Sequence, residues 1–129
     1  MADANFVLSR GFIAEAAITK HRAVKAGAAA EGVTPVTAEG DAVLGVAQFD
    51  VTTAEIAQGK DCTVQMMGIV EMEAADQIVV GGLVGLASDG RAIASNTGAR
   101  VLGICVGNPS GGAGDRISVL LSLPGIVAA

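Results

Sequence analysis

The sequence has no tryptophan and no tyrosine, and its only aromatic rings are Phe6, Phe12 and Phe49. Single-stranded nucleic acids and sugars are gripped largely by stacking on aromatic faces, so neither is an expected ligand. Basic residues are scarce as well. Lys and Arg number 8 against 13 Asp and Glu, a net charge of −5. Binding a phosphate backbone needs clustered cations, which this chain does not offer. Its single histidine, His21, lies in sequence between Lys20 and Arg22. A general base needs an orienting partner, and two flanking cations are not one, so His21 reads as a solvated side chain.

One histidine and two widely separated cysteines do not make a zinc pattern, and the acidic residues lack the spacing of a calcium loop. No metal and no cofactor are expected. Long apolar runs are also missing. The longest, 78–87 and 117–129, contain Gly or Pro and fall well short of the roughly 20 residues that span a bilayer. No basic segment followed by an apolar core opens the chain, so neither a signal peptide nor a membrane contact is expected. Cys62 and Cys105 then read as buried thiols of a reducing compartment.

What the chain does have is 18 glycines and a bulk built from Val, Ile and Leu. That composition suits short strands joined by tight turns. At 129 residues the length fits one domain. Strands alternate where Cys62, Val64 and Met66 interleave with Thr63 and Gln65, and where Ile117, Val119 and Leu121 interleave with Ser118 and Leu120. Residues 43–47 and 101–106 are apolar on both faces, which predicts strands covered on both sides. Thr52-Thr53-Ala54-Glu55 has the spacing of a capping box and Gly59 stands where a helix would end, so one short helix is predicted there.

The order of these elements repeats. Ala42-Val43-Leu44-Gly45-Val46-Ala47 resembles Arg100-Val101-Leu102-Gly103-Ile104-Cys105, and Gly59-Lys60-Asp61-Cys62-Thr63-Val64 resembles Gly114-Asp115-Arg116-Ile117-Ser118-Val119. Gly68-Ile69-Val70 matches Gly125-Ile126-Val127, and residues 18–24 can be laid on 78–84. The offsets are 58, 55, 57 and 60. Four matches in register indicate a duplicated β-unit, about 18–72 and 78–129. The expected fold is all-β, a compact barrel or sandwich-like domain over 15–129. Residues 1–14 stand outside this repeat and read as an extended N-terminal arm.

Candidate chemistry is thin. Glu71 and Glu73 share one face of a strand, where carboxylates more often keep a surface soluble than act as an acid–base pair. Residues 81–85 and 107–114 are glycine-rich but complete neither a P-loop nor a dinucleotide fingerprint. No Gly-x-Ser-x-Gly elbow occurs, and no enzyme is expected. What remains is surface. The arm carries two rings, and the run from Leu120 through Leu123 to Ile126 holds more apolar side chains than one sheet face can hide. Apolar patches of this kind mark protein interfaces.

Taken together, the strand at 43–47, the Thr-Val-Gln-x-x-Gly-Ile-Val-Glu stretch at 63–71, the Ser-Asp-Gly-Arg-Ala turn at 88–92 and the closing 115–121 resemble the capsid cement, or head decoration, proteins of tailed bacteriophages. The resemblance spans residues 6–123 and rests on pattern and glycine placement. It implies a β-domain on the outside of an expanded head, made in the host bacterial cytoplasm. Members commonly form homotrimers that clamp neighbouring major capsid protein subunits. Their N-terminal arm often contacts the coat, a role that would fall here on Asn5, Phe6, Val7, Leu8 and Phe12. The other readings are a head–tail collar or fibre component and a small ligand-binding barrel.

Overall fold

The computed structural model describes residues 5–94, 100–109 and 111–127, with the side chains of 8–94, 101–109 and 111–121. Among them the chain is almost wholly β. In order come β1 (Asn5–Ala14), β2 (Ala23–Ala26), β3 (Gly32–Pro35), β4 (Val43–Ala47), α1 (Thr53–Ala57), β5 (Asp61–Glu73), β6 (Leu83–Leu86), β7 (Ala92–Ala94), β8 (Arg100–Gly107) and β9 (Arg116–Val127).

The helix forms where its capping box predicts. Thr52 Oγ1 accepts from the Glu55 N–H at 3.2 Å, and Glu55 Oε1 accepts from the Thr52 N–H at 2.9 Å. These bonds satisfy amide donors that have no partner within the helix. Gly59 follows at φ +81°, a conformation that costs glycine little.

The strands pair in the order β1-β3-β2-β4-β5, and β1 also pairs with β5, which closes a five-stranded barrel. From β5 the sheet continues through β9, β8, β6 and β7. Ala74, just beyond β5, bridges Ala92 of β7 in parallel, as Ala14 of β1 pairs in parallel with Val33 of β3. The second unit therefore traces the same circuit as the first, with β5 serving both. Its first half ends one unit and its second half begins the next.

The registers coincide. Val46 faces Gln65 as Ile104 faces Leu120, and Phe12 faces Cys62 as Met72 faces Ile117. The β2–β4 pair slips between Val24 and Lys25, and β6–β8 slips between Val84 and Gly85. Gly45 and Gly103 sit at matching points, where a Cβ would strike the backbone carbonyl of Gln65 and of Leu120 respectively. The matched Val-Leu-Gly steps in the sequence thus mark two places where strands approach too closely for any side chain.

Two findings correct the sequence-based picture. Residues 5–14 are extended, but they are also the first strand of the first unit, the counterpart of the second half of β5. Phe12, Ala14 and Ile18 are buried in one apolar cluster as Met72, Ala74 and Ile78 are in the other. β8 is covered on one face only: Leu102 and Cys105 are buried, while Ile104 and Val106 are exposed.

Candidate interaction surface

The junction between the two units is polar at its rim. Arg22 of the first unit donates from Nε to Glu73 Oε1 at 3.2 Å. Arg91 lies 3.7 Å from the other oxygen of Glu73 and donates to Asp89 at 2.8 Å. The backbone crosses here too, since the Glu73 N–H donates to the His21 carbonyl and the Ala23 N–H to the Gly90 carbonyl, each at 2.8 Å. Glu73, read in the sequence as half of a surface carboxylate pair, is thus a clasp between units. Glu71 instead faces His21 Nε2 at 3.9 Å and Arg116 at 3.4 Å.

His21 is not the solvated side chain that its basic neighbours suggest. It is largely buried, its Nδ1 has no hydrogen-bond partner, and its φ is +63°. Burial holds its pKa below the ordinary value. The Arg116 charge lowers it further, and Glu71 opposes both. Lys20, His21, Gln48, Phe49, Gln65 and Glu71 line an open cavity of about 290 Å³. That set holds an imidazole, an ammonium and one carboxylate but no hydroxyl or thiol. Among the described residues no three His, Cys, Asp or Glu side chains gather as a metal site. Among the described residues no helix is long and apolar enough to cross a membrane.

The apolar surface is more organised. Leu83 of β6 faces Ile104 of β8, and Ile104 faces Leu120 of β9. The three form a row across adjacent strands, 41–53% exposed. Ile69 of β5 faces Leu120 and extends the row. Beside it lies an open groove of about 580 Å³ lined by Gln77, Ile78, Val79, Gly82, Leu83 and Ala94.

Of the residues expected at an interface, Leu120 lies in this row. Leu8 is exposed and faces the exposed Met67 on β5. Phe12 is core and offers no ring to a partner. The side chains of Asn5, Phe6, Val7, Leu123 and Ile126 lie outside the described residues. The backbone of Asn5 and Phe6 pairs with Ile69 and Gly68, and that of Ile126 pairs with Val101. Sequence reading missed Leu83 and Ile104. Ile104 stood in a run apolar on both faces, and nothing local says which face is left uncovered.

No protein-family model matches the sequence, and no curated protein matches it. Among solved structures the chain is similar to that described as the crystal structure of head fiber gp8.5 N base in bacteriophage phi29. The TM-score is 0.68 at 19% identity, covering 95% of this chain and 98% of that one. At that identity the likeness is one of fold.

Proposed function

We propose that this chain is a structural protein of the outside of a bacteriophage head. The observation that carries the reading is the fold, shared over nearly the full length of both chains with the base of a head fiber. In the decoration role, trimers sit at three-fold positions and clamp neighbouring major capsid protein subunits, raising the cost of separating them under internal DNA pressure. Three weak contacts per trimer act at high effective concentration, so avidity exceeds one contact by ~10²–10⁴. Leu8, Leu120 and the rest of the two expected contact segments, the buried Phe12 excepted, would meet the coat or other copies. The acidic charge suits a surface facing solvent and not the packaged genome. The role asks for no catalysis, cofactor or membrane.

Purified chain mixed with heads from its source phage should bind the expanded form saturably and raise its resistance to heat. Absence of binding to expanded and unexpanded heads alike would sink the proposal. The shared fold also favours a second reading, a fibre base. A base should bind heads at few sites without changing their heat resistance, whereas a decoration protein should cover the lattice and stabilise it.

A further inference from the structure

The two units share a circuit, yet one shared face is covered and the other is open. In the first unit Ala23 faces Val46 and Val46 faces Gln65, the counterpart of the row Leu83–Ile104–Leu120. These three first-unit residues are at most 3% exposed. Ala23 and Val46 belong to the apolar cluster of the second unit, which lies against them. The groove of the second unit has a counterpart as well, beside Ile18, Arg22, Ala23 and Pro35. There Asp89, from the turn at 87–91, forms part of the lining, and only about 50 Å³ remains. A second unit thus caps a first unit by closing its row and plugging its groove. Among the described residues nothing caps the second.

We propose that a second copy of this chain supplies that cap, docking its first barrel on the row Leu83–Ile104–Leu120 and its turn 27–31 in the adjoining groove. The proposal rests on reading the chain as an oligomeric structural protein, and it names the surface and its occupant. The occupant is argued from counterparts. Within the chain the capping elements are Glu73 and the turn 87–91; their counterparts at the other end are Ile13 and the turn 27–31.

Both counterparts are exposed: Ile13 is 58% exposed, and Ala28, Ala29 and Ala30 stand at the tip of the turn. Their chemistry changes in step with that of the groove. Inside the chain, Glu73 meets Arg22 and Asp89 enters a groove rimmed by Thr19 and Arg22. Between copies, Ile13 would meet Gly82, and an alanine turn would enter a groove rimmed by Val79, Gly82 and Leu83. At these rim positions the polar contacts made within the chain give way to apolar ones between copies, while Gln77 keeps one polar group in the groove and Glu31 of the turn stays paired with Arg10. The contact joins unlike surfaces, so it closes into a ring or continues as a filament according to its rotation.

The test is the mass of the full chain by light scattering and sedimentation over a micromolar-to-millimolar series, without heads present. The wild type should assemble. Leu83→Asp and Ile13→Asp should each be monomeric with unchanged circular dichroism, since both side chains are exposed. Mixed in equal amounts, the two variants retain one intact pair of surfaces and should form dimers and nothing larger. Ile104→Thr, which keeps a β-branched residue in the strand, should weaken assembly if Leu83→Asp fails to fold. A monomeric wild type, assembly untouched by changes in the row, or a mixture that stays monomeric would each overturn the proposal. A monomer that still binds heads would leave the proposed function standing, whereas an assembled chain that ignores heads would do the reverse.

Discussion

His21 and Gly81 hold the same place in the two units, with φ +63° and +84°. The His21 N–H donates to the Ala47 carbonyl at 2.8 Å, and the Gly81 N–H to the Cys105 carbonyl at 2.7 Å. The left-handed turn is therefore demanded by the hydrogen-bonding of the unit and not by the residue. At Gly81 a Cβ would meet nothing within 4 Å. Gly81→Ala should thus lose only conformational energy, about 1 kcal/mol. Gly103→Ala would push a methyl into the Leu120 carbonyl, and should cost about 2–4 kcal/mol. Urea unfolding of the two variants checks the ranking, and equal losses would contradict it.

The lowered pKa of His21 has a definite sign in stability. The unfolded chain takes up the proton near the ordinary histidine value of about 6.5, while the folded chain resists it. Stability is therefore full above that pH and declines as pH falls through it, until the folded pKa is passed. Asp41 acts lower. The Thr37 N–H and the Lys25 ammonium hold its carboxyl at about 2, so its contribution fades only as pH drops below the usual carboxylate range. His21→Asn, which tolerates the left-handed backbone, should flatten the stability profile between pH 7.5 and 5.5, a window of about 2 units around the ordinary histidine pKa. An unchanged slope would show that His21 does not titrate as described.

Cys62 and Cys105 lie in different apolar clusters, and both are free thiols. Burial raises the Cys62 pKa, which further suppresses its thiolate. Neither should react with a thiol reagent at neutral pH until the chain unfolds. Rapid labelling of the native protein, or a disulfide found by mass spectrometry under non-reducing conditions, would contradict this.

Removing residues 1–13 should unfold the first barrel, because β1 pairs with β5 from Asn5 to Ile13. Phe12→Ala alone should cost about 3 kcal/mol, the loss typical of a buried ring. Retention of the native β-signal in the truncated chain would show instead that β1 is dispensable.

Much of this was legible in the sequence because its causes are local. The alternation around Cys62 and Ile117 follows from the pleat, the helix from Thr52 and Glu55, and the duplication from glycines that a close backbone approach forbids to change. The membership of β1 in the repeat was hidden. Phe-Val-Leu-Ser-Arg has no identity to Met-Met-Gly-Ile-Val, and what persists is scattered: identity at Ala14 and Ala74 and at Ile18 and Ile78, and burial without identity at Phe12 and Met72. Leu120 is exposed, in keeping with a run too apolar for one face to hide, and Phe12 is buried where an arm contact was expected, because a ring near a terminus looks the same whether it faces a partner or a core.

By itself the sequence determined an all-β chain of two like units, acidic and poor in rings, with turns set by glycine. Only the tertiary structure decided that Val46 is covered and Ile104 is bare, although both stand at the same step of the same motif. Pairing register and backbone sterics are properties of neighbouring residues and can be read along the chain. The burial of a face depends on what packs against it, and here that face of the first unit is covered by the second, while among the described residues nothing covers the same face of the second.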